Sequence, residues 1–161
     1  MACMKSHDLP VIVSRFFNTV GPRQTGQYGM VLPRFVSKAL KNEPLLVYGD
    51  GTQSRCFCHV LDTVNALLRL AKTDDATGKV LNIGTTRETT IAELAELVIE
   101  RTNSSSSIEL VPYDKAYEAG FEDMKRRVPN TGNIQKLTGW TPKRSLEDII
   151  DDVAESISET S

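Results

Sequence analysis

Val11-Ile12-Val13-Ser14-Arg15-Phe16-Phe17-Asn18-Thr19-Val20-Gly21-Pro22-Arg23 is the stretch from which the fold is read. A β-branched run gives way, across an aromatic pair, to a polar Asn and then a Gly-Pro turn, the punctuation expected where a buried strand meets a loop. Residues 10–17 read as that strand, with Pro10 at its start, where a missing N–H donor is harmless. Asn18 then falls just beyond the strand's carboxyl end. In open α/β sheets ligands bind at that end, because the strand ends open into a crevice between loops. The loop of residues 18–29, with Gly21, Pro22, Gly26 and Gly29, is the natural place for ligand contacts.

Working outward, residues 32–41 read as a helix with Phe35, Val36 and Leu40 on one side and Pro33 in its first turn. Leu45-Leu46-Val47-Tyr48 is a short strand cut off by Gly49-Asp50-Gly51, and a second strand is expected over residues 55–60. Asp62 reads as the N-cap of a helix reaching about residue 72, its carboxylate accepting from free backbone N–H groups. Val80-Leu81-Asn82-Ile83 is a further strand. Thr90-x-x-Glu93 is a capping box that opens a helix on Ile91, Leu94, Ala95 and Val98. Four serines at 104–107 make a turn or loop, followed by a strand at 108–111 and an irregular connector from Pro112 to Met124. A short helix around 134–137 stops at Gly139, Trp140 and Pro142 anchor the chain, and Ser145 caps a last helix striped with Leu146, Ile149, Ile150, Val153 and Ile157. The class is α/β.

The chain has 161 residues, enough for one domain with a real core and too few for two comfortable ones. Hydrophobic residues at 40% and charged residues at 25% are ordinary soluble values. With 19 basic against 21 acidic residues the net charge is -2, which argues against nucleic acid as the main partner. No apolar run reaches the ~20 residues that span a membrane, and no signal-peptide pattern follows Met1, so a cytoplasmic setting is expected. Three cysteines without framework spacing suit a reducing compartment. Cys56-Phe57-Cys58-His59 has half a zinc set without partners, and on a strand Cys56 and Cys58 share one face and pack there, so no metal is expected. His59 invites a catalytic reading, as any histidine does, but its setting reads as a structural strand rather than a catalytic site.

The run RFFNTVGPRQ, then YGMVLPRFV, VYGDGTQSR, and FEDMKRRVPN with LTGWTP, resembles the second half of the extended short-chain dehydrogenase/reductases that modify nucleotide-diphosphate sugars. These are the UDP-glucose 4-epimerases, dTDP-glucose 4,6-dehydratases and UDP-glucuronate decarboxylases. The resemblance runs from about residue 9 to about residue 155, with the blocks in order. It implies a Rossmann-type fold, of which this chain holds the last sheet strands, near 10–17 and 79–83, plus the small substrate-binding α/β domain. A complete enzyme would be about twice this length. The family's G-x-x-G-x-x-G turn, which cradles the dinucleotide pyrophosphate, is not in this sequence, nor is the Tyr-x-x-x-Lys pair that moves the proton. Lys5 stands too close to Val11 to be that lysine. The resemblance therefore marks the chain as a C-terminal fragment, expected to be inactive alone, with NAD the cofactor of the parent family. A strand at Val11 without its neighbour would favour self-association.

The resemblance also assigns roles. Asn18 donates its amide to the substrate's diphosphate or the adjoining glycosyl group, unless it only caps its own loop. Phe16 and Thr19 lie near the nicotinamide. Arg55 and Arg127 close on the diphosphate from opposite sides, the planar guanidinium suiting two phosphate oxygens at once; the alternative is a surface ion pair or a solvated basic face with Lys125. Asn130 stands where an Asp normally contacts the ribose and keeps the hydrogen-bonding group without the charge. Met30, Val31, Leu32 and Phe35 on one side, with Leu45, Val47 and Tyr48 on the other, match the base and ribose pocket, though each also suits a core. The partner implied is a UDP- or dTDP-sugar. The rival expectations are a non-catalytic nucleotide-sugar-binding module and a pure protein-interaction fragment.

Overall fold

A computed structural model describes residues 9–24, 30–112 and 124–160. Gly26, Gly29, Lys5 and most of the 112–124 connector lie outside the described residues. Strands β1 (Val13–Phe16) and β2 (Thr19–Val20) open the chain, followed by α1 (Val31–Ala39), β3 (Leu45–Tyr48), β4 (Ser54–Arg55), β5 (Cys58–His59) and α2 (Val60–Leu70). After a 3-10 turn at Asp74–Ala76 come β6 (Val80–Ile83), β7 (Thr89–Thr90), α3 (Ile91–Arg101), β8 (Ile108–Val111), α4 (Gly132–Thr138) and α5 (Leu146–Thr160).

The strands pair two by two among the described residues: β1 with β6, β2 with β5 and β3 with β8 are parallel, and β4 with β7 is antiparallel. No pair is a hairpin. In the first pair Val13 faces Val80 and Phe16 faces Ile83. The expected buried strand is therefore partly corrected: β1 is short and mostly exposed, with Phe16 at 48%, because among the described residues it has a partner on one edge only.

Two cores form. In the larger, α1, α3 and α5 pack on each other and on Leu45 and Val47 of β3. Each helix delivers an apolar stripe: Leu32, Phe35, Val36 and Ala39 from α1; Ile91, Leu94, Ala95 and Val98 from α3; Leu146, Ile149, Ile150 and Val153 from α5. Full burial of one such side chain stabilises by about 1.5–3 kcal/mol. The helix starts are fixed as their sequences require. Thr90 and Glu93 form the reciprocal capping box, and Ser145 does the same with Asp148 at α5. In the smaller core Leu81 and Ile83 of β6 meet Ala66 and Leu70 of α2, Ile134 of α4 and Trp140. Gly139 ends α4 in the left-handed conformation at φ 65°, as a C-cap glycine should.

Two expectations are overturned. The strand over 55–60 is two strands with different partners, β4 on β7 and β5 on β2, and Cys56, Phe57 and Cys58 are all buried, so no one-faced alternation exists. The cap of α2 is His59, not Asp62: its Nδ1 accepts from Leu61 N at 3.0 Å, which leaves Nε2 to donate to Asp152 Oδ2 at 3.0 Å. Asp62, 4% exposed, instead reaches across to the loop before α5, where Oδ2 accepts from Lys143 N and Arg144 N and Oδ1 from the Arg144 guanidinium. Trp140 Nε1 donates to the Asp62 carbonyl at 3.1 Å, so one residue anchors the whole crossing.

Candidate functional site

β1 ends at Phe16, and the chain bends at Phe17-Asn18 before β2 begins. The bend needs a left-handed residue, and Asn18 takes φ 39°, a conformation Asn tolerates better than most residues. Its side chain then turns onto the neighbouring segment, Nδ2 donating to the Cys56 carbonyl at 2.9 Å, while its own carbonyl accepts from Cys58 N at 3.1 Å. Asn18 thus ties the end of β1 to the β4–β5 link.

β4 carries Arg55 beside that link. The turn before it is set by Gly49 and Gly51, at φ 72° and 74°, and by Asp50, whose Oδ1 accepts from Thr52 N at 3.0 Å and Thr52 Oγ1 at 2.7 Å. These donors hold the Asp50 carboxyl below its ordinary pKa. A Cβ on Gly51 would stand 3.0 Å from both Ala92 Cβ and Val47 Cγ1, so the turn sits directly on α3 and β3. Arg55 Nη1 donates to the Ser54 carbonyl at 2.8 Å and the Met124 carbonyl at 2.7 Å.

The third element is the extended segment 124–127. Ser54 N donates to the Lys125 carbonyl at 2.9 Å, Ser54 and Arg126 form a parallel bridge, and Arg127 lies over the Phe17 ring at 5.4 Å. Behind Phe17, Gly84 leaves the room: a Cβ there would come within 2.9 Å of Phe17 Cβ and 3.1 Å of Pro129 Cγ. Asn18, Arg55 and Arg127, remote in sequence, are thereby gathered on one group of contacts.

Asn130 follows, its Oδ1 accepting from Gly132 N at 3.0 Å and its carbonyl from Asn82 Nδ2 at 2.9 Å. Phe16 is exposed at the end of β1, and Thr19 shares a 3.3 Å hydrogen bond with Thr63. Tyr48, half-buried, stands 5.0 Å beneath the Arg34 guanidinium. Met30 and Val31 are partly accessible at the start of α1. Leu32, Phe35 and Val47 are corrected: at 0%, 1% and 0% exposure they belong to the core and have no surface to offer a base. Leu45 is buried with them.

Three residues here escape a sequence reading. Arg34 lies inside the LPRF run but has no pattern of its own. Phe17 carries Arg127, and Glu88 takes a two-point contact from Arg126, at 2.9 and 2.6 Å, together with Ser54 Oγ at 3.0 Å. Those donors hold the Glu88 carboxyl below its usual range. Burial raises the thiol pKa of Cys56 and of Cys58, the latter to about 11, which disfavours the thiolate at both.

The sequence profile of the GDP-mannose 4,6 dehydratase family matches residues 1–153. The UDP-N-acetyl-alpha-D-glucosaminuronate decarboxylase of Bacillus cytotoxicus is 41% identical over 140 residues, 86% of this chain and 43% of that protein. Among solved structures, the Thermotoga maritima UDP-glucose 4-epimerase with UDP-glucose superposes with a TM-score of 0.86 at 30% identity, covering 98% of this chain and 48% of that one. The dTDP-glucose 4,6-dehydratase of Bacillus anthracis in complex with NAD gives 0.83 at 28%, covering 98% and 47%. The chain thus spans less than half the length of these relatives. A parallel β1–β6 pair, a polar residue at its carboxyl end and a match over nearly the whole chain agree, and the chain belongs to the GDP-mannose 4,6-dehydratase family.

Proposed function

We propose that this chain forms the face of a nucleotide-sugar site that grips the diphosphate and the nucleoside, in an NAD-dependent enzyme acting at the sugar's C4. The observation that carries the reading is the gathering of Asn18, Arg55 and Arg127 through the contacts on Cys56, Met124 and Phe17. A diphosphate is a compact double anion, and two guanidiniums with an amide donor match its charge and its oxygens. Tyr48 under Arg34, with Met30 and Val31, supplies a flat apolar surface for a base, and Leu32, Phe35 and Val47 support it from the core. Asn130 is the ribose contact. The names of the relatives favour a UDP- or dTDP-sugar.

In this reading the β1–β6 pair belongs to the dinucleotide-domain sheet, and β3, β8 and the α1–α3–α5 layer build the substrate side. NAD, when bound, supplies the hydride acceptor. Phe16 and Thr19 are the residues of this chain that would flank it, and the Gly-rich pyrophosphate cradle is not in this sequence. The exposed apolar groups of β1 and β6, Val13, Phe16 and Val80, support self-association. Buried free thiols at Cys56 and Cys58 agree with a cytoplasmic setting.

The test is a calorimetric titration of the chain with UDP, dTDP and GDP, in parallel on Arg55→Ala. One nucleotide should bind, and the substitution should weaken it tenfold or more, about 1.4 kcal/mol. Binding of none, or indifference to Arg55→Ala, refutes the reading.

A further inference from the structure

Glu88 lies in the link between β6 and β7, outside every residue assigned above. Its carboxylate accepts from Arg126 Nε at 2.9 Å, from Arg126 Nη2 at 2.6 Å and from Ser54 Oγ at 3.0 Å. It therefore joins the two segments that carry Arg55 and Arg127. Apart from that bond, the segment 124–127 touches β4 through the Ser54 N to Lys125 carbonyl bond, the Ser54–Arg126 bridge and the Arg55 to Met124 carbonyl bond. A two-residue slide of the segment would keep backbone pairing of the same kind but carry Arg127 off Phe17. A fork of two parallel hydrogen bonds from a planar guanidinium admits one register only. With side chains 68% and 34% exposed, the Arg126–Glu88 pair adds little to global stability. Its effect is geometric.

We propose that Glu88 is a positioning residue, which fixes the register of residues 124–127 against β4 and so sets Arg55 and Arg127 at the spacing a diphosphate requires. The diphosphate part rests on the reading above; the register part does not. Electrostatics gives the proposal a sign. Glu88→Gln removes a negative charge beside an anion site, and Coulomb's law alone then predicts tighter anion binding. Loss of register predicts the opposite.

Two readouts on wild type and Glu88→Gln decide it: UDP titration, and hydrogen exchange of the Ser54 amide, whose proton is held by the Lys125 carbonyl. The substitution is expected to speed Ser54 exchange tenfold or more and to weaken UDP binding about tenfold, with thermal stability nearly unchanged. Unchanged Ser54 exchange, or UDP binding that is equal or tighter, overturns the proposal. If wild type binds none of UDP, dTDP and GDP, the nucleotide-sugar reading fails, and Ser54 exchange still decides whether Glu88 sets the register; if it binds dTDP or GDP instead of UDP, that nucleotide replaces UDP in the titration.

Discussion

Replacing Asp62 with Ala should cost about 3 kcal/mol of folding stability, although the residue touches none of the proposed ligand contacts. Its carboxylate accepts from Lys143 N at 3.0 Å, Arg144 N at 2.9 Å and Arg144 Nη1 at 3.2 Å. A hydrogen bond to a charged acceptor contributes about 1.5–3 kcal/mol, so the two backbone bonds give an upper figure of roughly 6 kcal/mol. The Arg144 side chain is 37% exposed and can turn to water, which makes its share small. A cavity of about 260 Å³ between α2 and the 139–144 loop lets water reach the bared N–H groups, which selects the lower end of the range. Asp62→Asn keeps one acceptor and should lose less, about 2 kcal/mol. The assay is urea unfolding followed by the fluorescence of Trp140, the chain's one tryptophan, which is 2% exposed and hydrogen-bonded to the same residue's carbonyl. With a slope of about 2 kcal/mol/M the Ala variant's midpoint should fall by about 1.5 M. A fall of less than about 0.3 M would mean that the apolar stripe of α5 holds the crossing without Asp62, and the argument from buried donors would be wrong.

Three further outcomes are expected. Gly84→Ala, which drives a Cβ to within 2.9 Å of Phe17 Cβ, should displace Phe17 from Arg127 and weaken nucleotide binding several-fold in the same titration; unchanged affinity would separate Phe17 from the site. His59→Ala removes the α2 cap and the bond to Asp152 and opens a cavity, at a cost of about 2–3 kcal/mol in urea melts, whereas His59→Asn keeps a capping oxygen and should recover about 1 kcal/mol of it. The carboxyls of Glu93 and Asp148 are held below their ordinary range, first by the backbone N–H groups of Thr90 and Ser145. Because the folded values are the lower ones, their contribution is whole above the unfolded carboxylate range, about pH 4–5, and is lost as pH falls through the folded values. The melting temperature should be level from pH 7 to pH 5 and drop below about pH 4, and the Glu93→Gln, Asp148→Asn double variant should show a flatter acid limb.

Local chemistry was legible wherever the cause was local. Thr90-x-x-Glu93, Ser145 and Gly139 act within a few residues of themselves, and the apolar stripes of α3 and α5 repeat at helical spacing, so structure and sequence agree there. The β4–β5 region was not legible, because adjacent residues pair with strands in two different sheets and the intervening Cys56 and Phe57 are buried together. Asp62 has the sequence position of a cap, but its carboxylate's partners lie 81 and 82 positions away, beyond any local pattern. The site divides the same way. Asn18, Arg55 and Arg127 are named by the resemblance alone, and the structure brings the segments that carry them into contact through Cys56, Met124 and Phe17. Apolarity alone does not tell a lining from a core, and Leu32, Phe35 and Val47, which suit either in sequence, are core. Glu88 gave no signal, since its bond to Arg126 spans 38 positions.

The absence of any hairpin among the described strands also bears on how the chain is made. Each strand pairs with one far along the chain, and Arg15 of β1 meets Asn82 of β6 across 67 positions. On a ribosome moving at ~5–20 residues per second, β1 waits roughly 3–13 s for β6 to be synthesised. Through that interval Val13 and Phe16, half-exposed even in the finished fold, have no strand from later in the chain to meet. The yield of native protein should therefore depend on translation speed and on chaperones that shield extended apolar segments, more than on the stability of the fold once formed.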